Sequence, residues 1–369
     1  MKLNKKMLII LCSVVATILV FIIVLILVFA LRDKSLSFEK IEEKIVSAGM
    51  SYYANNPDKL PSEGTITVDT STLIAEGYLN DLSKYTGDEE LICNGTLYVT
   101  KKTNGHSYRA RLYCGTTYIT KSFKDVVVTN VVTSGSGLYE EQQVDPNNNE
   151  TTQKVYVFKG DVLNNYIKMG DFYWRIVKVY ENGEMAVLGD PELMRRVWDN
   201  RYNLDVNKYR GINDYEVSRM LNYIDADVNN NHEGFLIIKS LITPHTACIG
   251  KRSLNDASKN GEAECSRVLG NQYFSLLPMY DYINASLDEN CVVASDKSCY
   301  NYNYLAAETE DWWTITGVEE NTQDVYYVQK TARSDYANQV KYARLYAHLD
   351  ANVTYVSGTG TYKDPYVLK

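Results

Sequence analysis

The spacing of hydrophobic positions changes character several times along this chain, and each change predicts an element. The first feature is an uncharged run from Met7 to Leu31. As a helix it would extend roughly 37 Å, and about 20 apolar residues suffice to cross a bilayer. A cleavable signal has a shorter apolar core, about 7–15 residues, before a small-x-small site. Val28-Phe29-Ala30 is a poor one. Lys2, Lys5 and Lys6 precede the run, and Arg32, Asp33 and Lys34 follow it. The expectation is a cytoplasmic tip and uncleaved transmembrane anchor over 1–34, with the Lys-rich end inside the cell and the bulk of the chain extracytoplasmic.

The period then becomes helical. In FEKIEEKIVSAGMSYYANNP, Phe38, Ile41, Ile45, Ala48 and Tyr52 recur at three and four residues, with Glu39, Glu42, Glu43 and Lys44 opposite. That is an amphipathic helix with Ser37 as N-cap, ended by Pro57 and Pro61. TVDTSTLIAEGYLND predicts a short helix capped by Thr70 or Ser71, with Gly77 beyond its end. Alternation takes over in CNGTLYVTKK and SYRARLYCGTTYIT. Asn104-Gly105 between them predicts a hairpin, and DVVVTNVVT predicts a further strand. Residues 133–154 are polar, without period, and read as a linker. From Val155 strands return. YIKMGDFYWRIVKVYENGEMAVLGD predicts two strands about Asn182-Gly183, GINDYEVSRMLNYIDADV a helix, and the final GTGTYKDPYVL a turn and strand closing against the first strands. The fold class expected is α+β in two domains, 35–132 and 155–369.

Composition narrows the chemistry. Asp and Glu outnumber Lys and Arg by 46 to 38. Phosphate-backbone binding needs clustered positive charge, so nucleic acid is excluded as a partner. Of seven cysteines, Cys12 lies in the anchor. The other six, an even set, predict disulfides outside the cell. Sequential pairing, Cys93–Cys114, Cys248–Cys265 and Cys291–Cys299, keeps each pair within one local segment.

The order of apolar helix, YYANNPDKLPSEG, TLIAEGYL and paired cysteines over 1–132 resembles type IV pilins and pseudopilins. No Gly precedes the apolar run and no Glu lies within it, so the prepilin peptidase site is missing. The segments WRIV, WDNRYN, GINDYEVS, CIGKR, SLLPMYDYINAS, CYNYNYL, WWTIT and GTGTYKDPYVL over 155–369 resemble a surface-exposed module of low-GC Gram-positive bacteria, distantly C-type-lectin-like. Arg344 is followed by Leu345-Tyr346 rather than the Pro-Val usual there. The resemblances imply an anchored, non-enzymatic surface protein that binds a glycan, cell-wall or protein ligand in adhesion. The alternative is a structural component of a type IV pilus-like or secretion assembly.

Candidate ligand-binding residues fall in DYINASLDENC and DWWT. Asp281, Asn284, Asp288 and Glu289 offer the hard oxygens calcium prefers, without a fixed spacing. DADVNNNHEGFL has Asp225, Asp227 and Asn229 at EF-hand positions, but Asn230 and Leu236 where Gly and Glu belong. Metal is therefore not assigned, with calcium kept only as an option. Trp312 and Trp313 alternate in a strand, so one ring is expected outward, available to stack on a sugar. No nucleophile motif is present; His245 three residues before Cys248 is the nearest approach to a dyad, and a disulfide explains Cys248 better.

Overall fold

The computed structural model describes residues 35–368 apart from 63, 103–104, 191–193, 230–237, 307–309 and 330–331. The chain divides into two compact units, the first ending at Thr120 and the second beginning at Lys121.

In the first unit, helix α1 (Phe38–Asn55) starts at Ser37, whose hydroxyl accepts from Lys40 N. Its buried stripe holds Ile41, Ile45, Ala48 and Tyr52, as the period predicts. Helix α2 (Thr70–Ala75) has Asp69 in the N-cap position, before the expected Thr70 or Ser71, and the Asp69 side chain makes no capping hydrogen bond. A third, one-turn helix α3 spans Ser83–Thr86. The antiparallel sheet runs β1 (Thr65–Asp69), β2 (Asn94–Lys102), β3 (Gly105–Cys114), β4 (Tyr118–Ile119). Lys102 pairs with Gly105, so β2 and β3 form the expected hairpin arms, with Gly105 already in the β3 ladder. The Cys93–Cys114 disulfide joins the start of one arm to the end of the other.

The second unit departs from expectation at its start. The segment expected as a strand from Asp125 begins helix α4 (Phe123–Val127). Ser122 and Asp125 form a capping box, which satisfies two orphan N–H groups and outweighs the β preference of the valines. Residues 137–159, largely placed in the linker, form a hairpin of β5 (Gly137–Asp145) and β6 (Asn148–Lys159). Its polar side chains disguise an alternation that buries Leu138, Gln143, Val155 and Val157.

Next come β7 (Tyr166–Met169), β8 (Phe172–Tyr180), β9 (Met185–Asp190) and β10 (Met194–Val197), then helix α5 (Arg219–Asn229). Two short strands, β11 (Ile242–Thr243) and β12 (His245–Cys248), precede β13 (Val268–Gln272) and helix α6 (Met279–Asn284). The chain continues through β14 (Trp312–Gly317), β15 (Asp324–Val328), β16 (Ala332–Tyr336) and β17 (Val340–Ala343). It then forms β18 (Tyr346–Leu349), β19 (Tyr355–Ser357) and β20 (Tyr366–Leu368).

The main sheet orders β11-β18-β9-β8-β7-β20-β19. One edge of β8 is shared, pairing with β7 through its first half and with β6 through Val155–Val157. The terminal β20 runs parallel to β7, so the last strand does close against the first ones. A second sheet orders β10-β17-β14-β15-β16, and β12 pairs with β13 alone.

Two expectations are corrected. The described chain is mainly β, with 39% strand against 21% helix, rather than a membrane helix leading into α+β domains. Among the described residues no helix is long and apolar enough to cross a membrane, so single-pass anchoring is not supported. The run 7–31 on which that reading rested lies outside the described residues.

Candidate functional site

Helix α6 carries two of the residues singled out in the sequence, one turn apart. Neither faces solvent. Asp281 Oδ1 lies 2.6 Å from Lys178 Nζ, and both side chains are 1% exposed. Lys178 has three ammonium protons and three oxygen partners, since Nζ also donates to Gln143 Oε1 at 2.8 Å and Tyr280 Oη at 2.9 Å. Tyr346 donates to Asp281 Oδ2 at 3.0 Å. Burial pushes the Asp281 carboxyl above its ordinary range, while Lys178 and Tyr346 hold back the rise. Asn284 is 4% exposed and meets Lys159 and Glu141. The expected calcium-type set therefore does not converge: lysines engage Asp281 and Asn284.

Asp288 does stay at the surface, organising its own loop. Its Oδ1 accepts from the backbone and side-chain nitrogens of Asn290, and its Oδ2 from Asn301. Those hydrogen bonds, Asn301 first, hold its carboxyl below the usual range. Glu289 is exposed beside it. Cys291–Cys299 staples this loop, and Cys248–Cys265 forms as well, which removes Cys248 from any dyad. The EF-hand-like segment lies partly outside the described residues.

Both tryptophans are inside. Trp312 is 2% exposed and Trp313 0%. Alternation does send them to opposite faces, but β14 is an interior strand covered on both, so each ring enters a different core cluster. The Arg344 guanidinium covers Trp312, and Trp313 Nε1 donates to Arg196 O at 3.2 Å. Neither ring is available to stack on a sugar.

A polar cleft of 340 Å³ opens elsewhere in this unit. Its walls combine two turns, the β5–β6 turn with Asn147 and the β8–β9 turn with Asn182 and Glu184, with two strand residues, Thr246 in β12 and Asn271 in β13. Each wall is fastened locally. Thr246 donates to Asn147 Oδ1 at 2.8 Å, and Asn182 Oδ1 accepts from Glu184 N at 3.0 Å. The β12–β13 register slips between His245 and Ala247, and Asn271 sits at φ 59, a left-handed conformation asparagine tolerates.

The floor is aromatic and titratable. His245 and His348 stack with ring centroids 4.3 Å apart at 12°. Tyr180 Oη lies 3.4 Å from His348 Nε2, and His245 Nε2 lies 3.0 Å from Ser275 Oγ. Burial pushes His348 down to about 3, with Lys178 adding to the effect. Burial, then His348, lowers His245 well below the usual imidazole range. Both rings are therefore neutral at neutral pH. The 3.8 Å approach of His348 Nδ1 to Glu184 Oε2 is accordingly not an ion pair there. Glu184 is shifted upward by desolvation, and Asp350 adds to it. Ser275 and His245 do not amount to a nucleophile and base. Among the described residues the buried His245 Nδ1 has no hydrogen-bond partner, so nothing fixes the ring as a triad acid would.

Sequence reasoning named His245 but passed over Lys178, Tyr180, Glu184, Ser275 and His348. A signal existed for two of them: Lys178 interrupts the apolar run WRIVKVY and His348 the run YAHL. A polar residue inside a buried strand needs a partner.

No family model matches this chain, and neither a curated protein nor a solved structure matches it.

Proposed function

We propose that the second unit is a lectin-like, non-enzymatic binding module, serving attachment or adhesion, whose ligand sits in the polar cleft. The observation that carries this is the character of the cleft: neutral imidazoles and a tyrosine form the floor, amides and one carboxylate the walls. Its volume lies within the range of small-ligand pockets, about 300–1,000 Å³. Amide and carboxylate groups hydrogen-bond hydroxyls in both directions, and flat rings offer apolar area to a sugar face. A neutral polyhydroxylated ligand, a glycan or wall saccharide, satisfies all of these at once. Calcium is not needed for it.

The test is a glycan and wall-fragment binding screen with the oxidised full chain, with and without chelator. Chelator-independent binding that Glu184→Gln weakens supports the reading. Binding that chelator abolishes, or that is indifferent to Glu184 and Asn271, overturns it.

A structural part in a pilus-like or secretion assembly is the second reading. What favours it is α1 packed on the four-stranded antiparallel sheet of the first unit. Concentration-dependent self-association, measured by crosslinking, would select it.

A further inference from the structure

The second lysine beneath α6 is placed differently from the first. Lys159 Nζ lies 2.8 Å from Asn284 Oδ1. Asn284 Nδ2 donates to Glu141 Oε2 at 2.7 Å. Glu141 Oε1 pairs with Lys159 Nζ. An amine, a carboxamide and a carboxylate thus form a closed triangle, each touching the other two. The carboxamide carbon is one C=O bond, about 1.2 Å, beyond the oxygen that Lys159 touches.

The backbone holds this arrangement from both sides. Gly160 N donates to Ala285 O at 2.9 Å, so the residues following Lys159 and Asn284 are bonded to each other. Tyr304 N donates to Gly160 O at 3.0 Å. Gly160 stands at φ 86, where an added Cβ would lie 2.4 Å from Ser136 Oγ, so the close approach requires glycine. On the β5–β6 hairpin, Tyr139 and Glu141 share a face with Lys159, and the Tyr139 ring lies 5.5 Å from Nζ. The site is largely shielded, with Asn284 4% exposed and the Lys159 and Glu141 side chains 15% and 24% exposed.

We propose that Lys159 and Asn284 join in an intramolecular isopeptide bond, formed once after folding with Glu141 as the proton shuttle. The ammonium of Lys159 gives a proton to the Glu141 carboxylate, freeing the lone pair on Nζ. Nζ attacks Asn284 Cγ, and the C=O electron pair moves onto Oδ1. Glu141 passes its proton to Nδ2, then takes one from Nζ. The tetrahedral centre collapses, the Cγ–Nδ2 bond breaks, and ammonia leaves. It accepts the proton held by Glu141. The balance is a lysine ammonium plus a carboxamide giving a secondary amide plus an ammonium ion, with no oxidant and no cofactor. Glu141 ends as it began.

The neighbouring Lys178–Asp281 pair is an internal contrast. Its nearest side-chain partners are Gln143, Tyr280 and Tyr346, none of them a carboxylate able to relay the proton. That pair remains ionic, and no water is lost there.

The deciding experiment is the intact mass of the full chain, reduced and denatured, followed by a tryptic map. The expected mass is lower than the sequence requires by one ammonia, with a branched peptide joining Lys159 to Asn284. Lys159→Ala and Asn284→Ala should each restore the mass calculated from their own sequences. Glu141→Gln should fold, shown by native disulfides and circular dichroism, and carry no branch. A wild-type chain at full mass overturns the proposal. So does an ammonia loss confined to one unbranched peptide, which marks cyclisation of Asn284 on its own backbone. A branch that persists in a folded Glu141→Gln chain overturns the role of Glu141.

Discussion

Lys178 and Asp281 meet at 2.6 Å with both side chains 1% exposed. Such a pair gains Coulomb energy but loses the hydration of two ions, so removing one partner is far worse than removing both. Lys178→Ala should destabilise the second unit by about 3–5 kcal/mol in urea denaturation. Lys178→Met combined with Asp281→Leu should recover most of that loss. Equal losses in the single and double variants would show that the pair is not coupled.

The stacked histidines set an acid limit. His348 binds its proton at about 3 in the fold and at 6.5 in a free side chain. His245 is shifted the same way. Between those values the unfolded chain binds more protons than the folded one, so stability is full above 6.5 and falls with decreasing pH. Each histidine should contribute roughly 1.4 kcal/mol per pH unit within that window. Tyr180, Ser275 and Tyr346 line the stack, Lys178 acts on His348 through its charge, and Glu184, itself shifted upward by desolvation, is the carboxylate beside it, 3.8 Å from His348 Nδ1. Glu264, buried against Arg252 and raised to about 6, acts in the opposite sense between 4.5 and 6. Glu184 and Asp281, raised by desolvation, act in the same sense as Glu264, so the histidine contribution is read from the difference in slope between wild type and variant from pH 7 to pH 5. His348→Gln should flatten that slope, and an unchanged slope would refute the assignment.

Asn271 occupies a left-handed conformation on the cleft wall. Asn271→Gly should keep stability within a few tenths of a kcal/mol. Asn271→Val should cost roughly 1–2 kcal/mol, because a β-branched side chain resists that backbone. Binding measured by calorimetry should weaken in both, since both remove the amide. Glu184→Gln should weaken binding by about tenfold, near 1.4 kcal/mol.

The staples should differ by loop length. Cys291–Cys299 closes a separation of 8, and its replacement by two serines should cost about 2–3 kcal/mol. Cys93–Cys114 closes a separation of 21, and its loss should cost about 3 kcal/mol, confined to the first unit. Thermal melts that follow each unit separately would check both.

Much of the first unit was legible because its signals are local. Ser37, the Ile41–Ile45–Tyr52 stripe and the turn before Gly105 each act within a few residues. Cysteine pairing was legible for the same reason. The cleft was not. Its floor joins β8, β12 and β18, and nothing local connects Tyr180 to His348, 168 residues apart. The β5–β6 hairpin was hidden because strands with polar side chains on both faces lose the contrast that periodicity reads. Trp312 and Trp313 misled because alternation gives opposite directions without saying whether either direction is solvent.

A cleft walled in part by turns and floored by core residues divides its duties between two kinds of sequence. The histidines and Tyr180 belong to paired strands and cannot vary without cost to the fold. The Pro146-Asn147 and Asn182–Glu184 connections can lengthen, shorten or exchange side chains while the sheet beneath keeps its register. Evolution would therefore retune what this cleft accepts through insertions and replacements at those tips, leaving the imidazole stack unaltered from one specificity to the next.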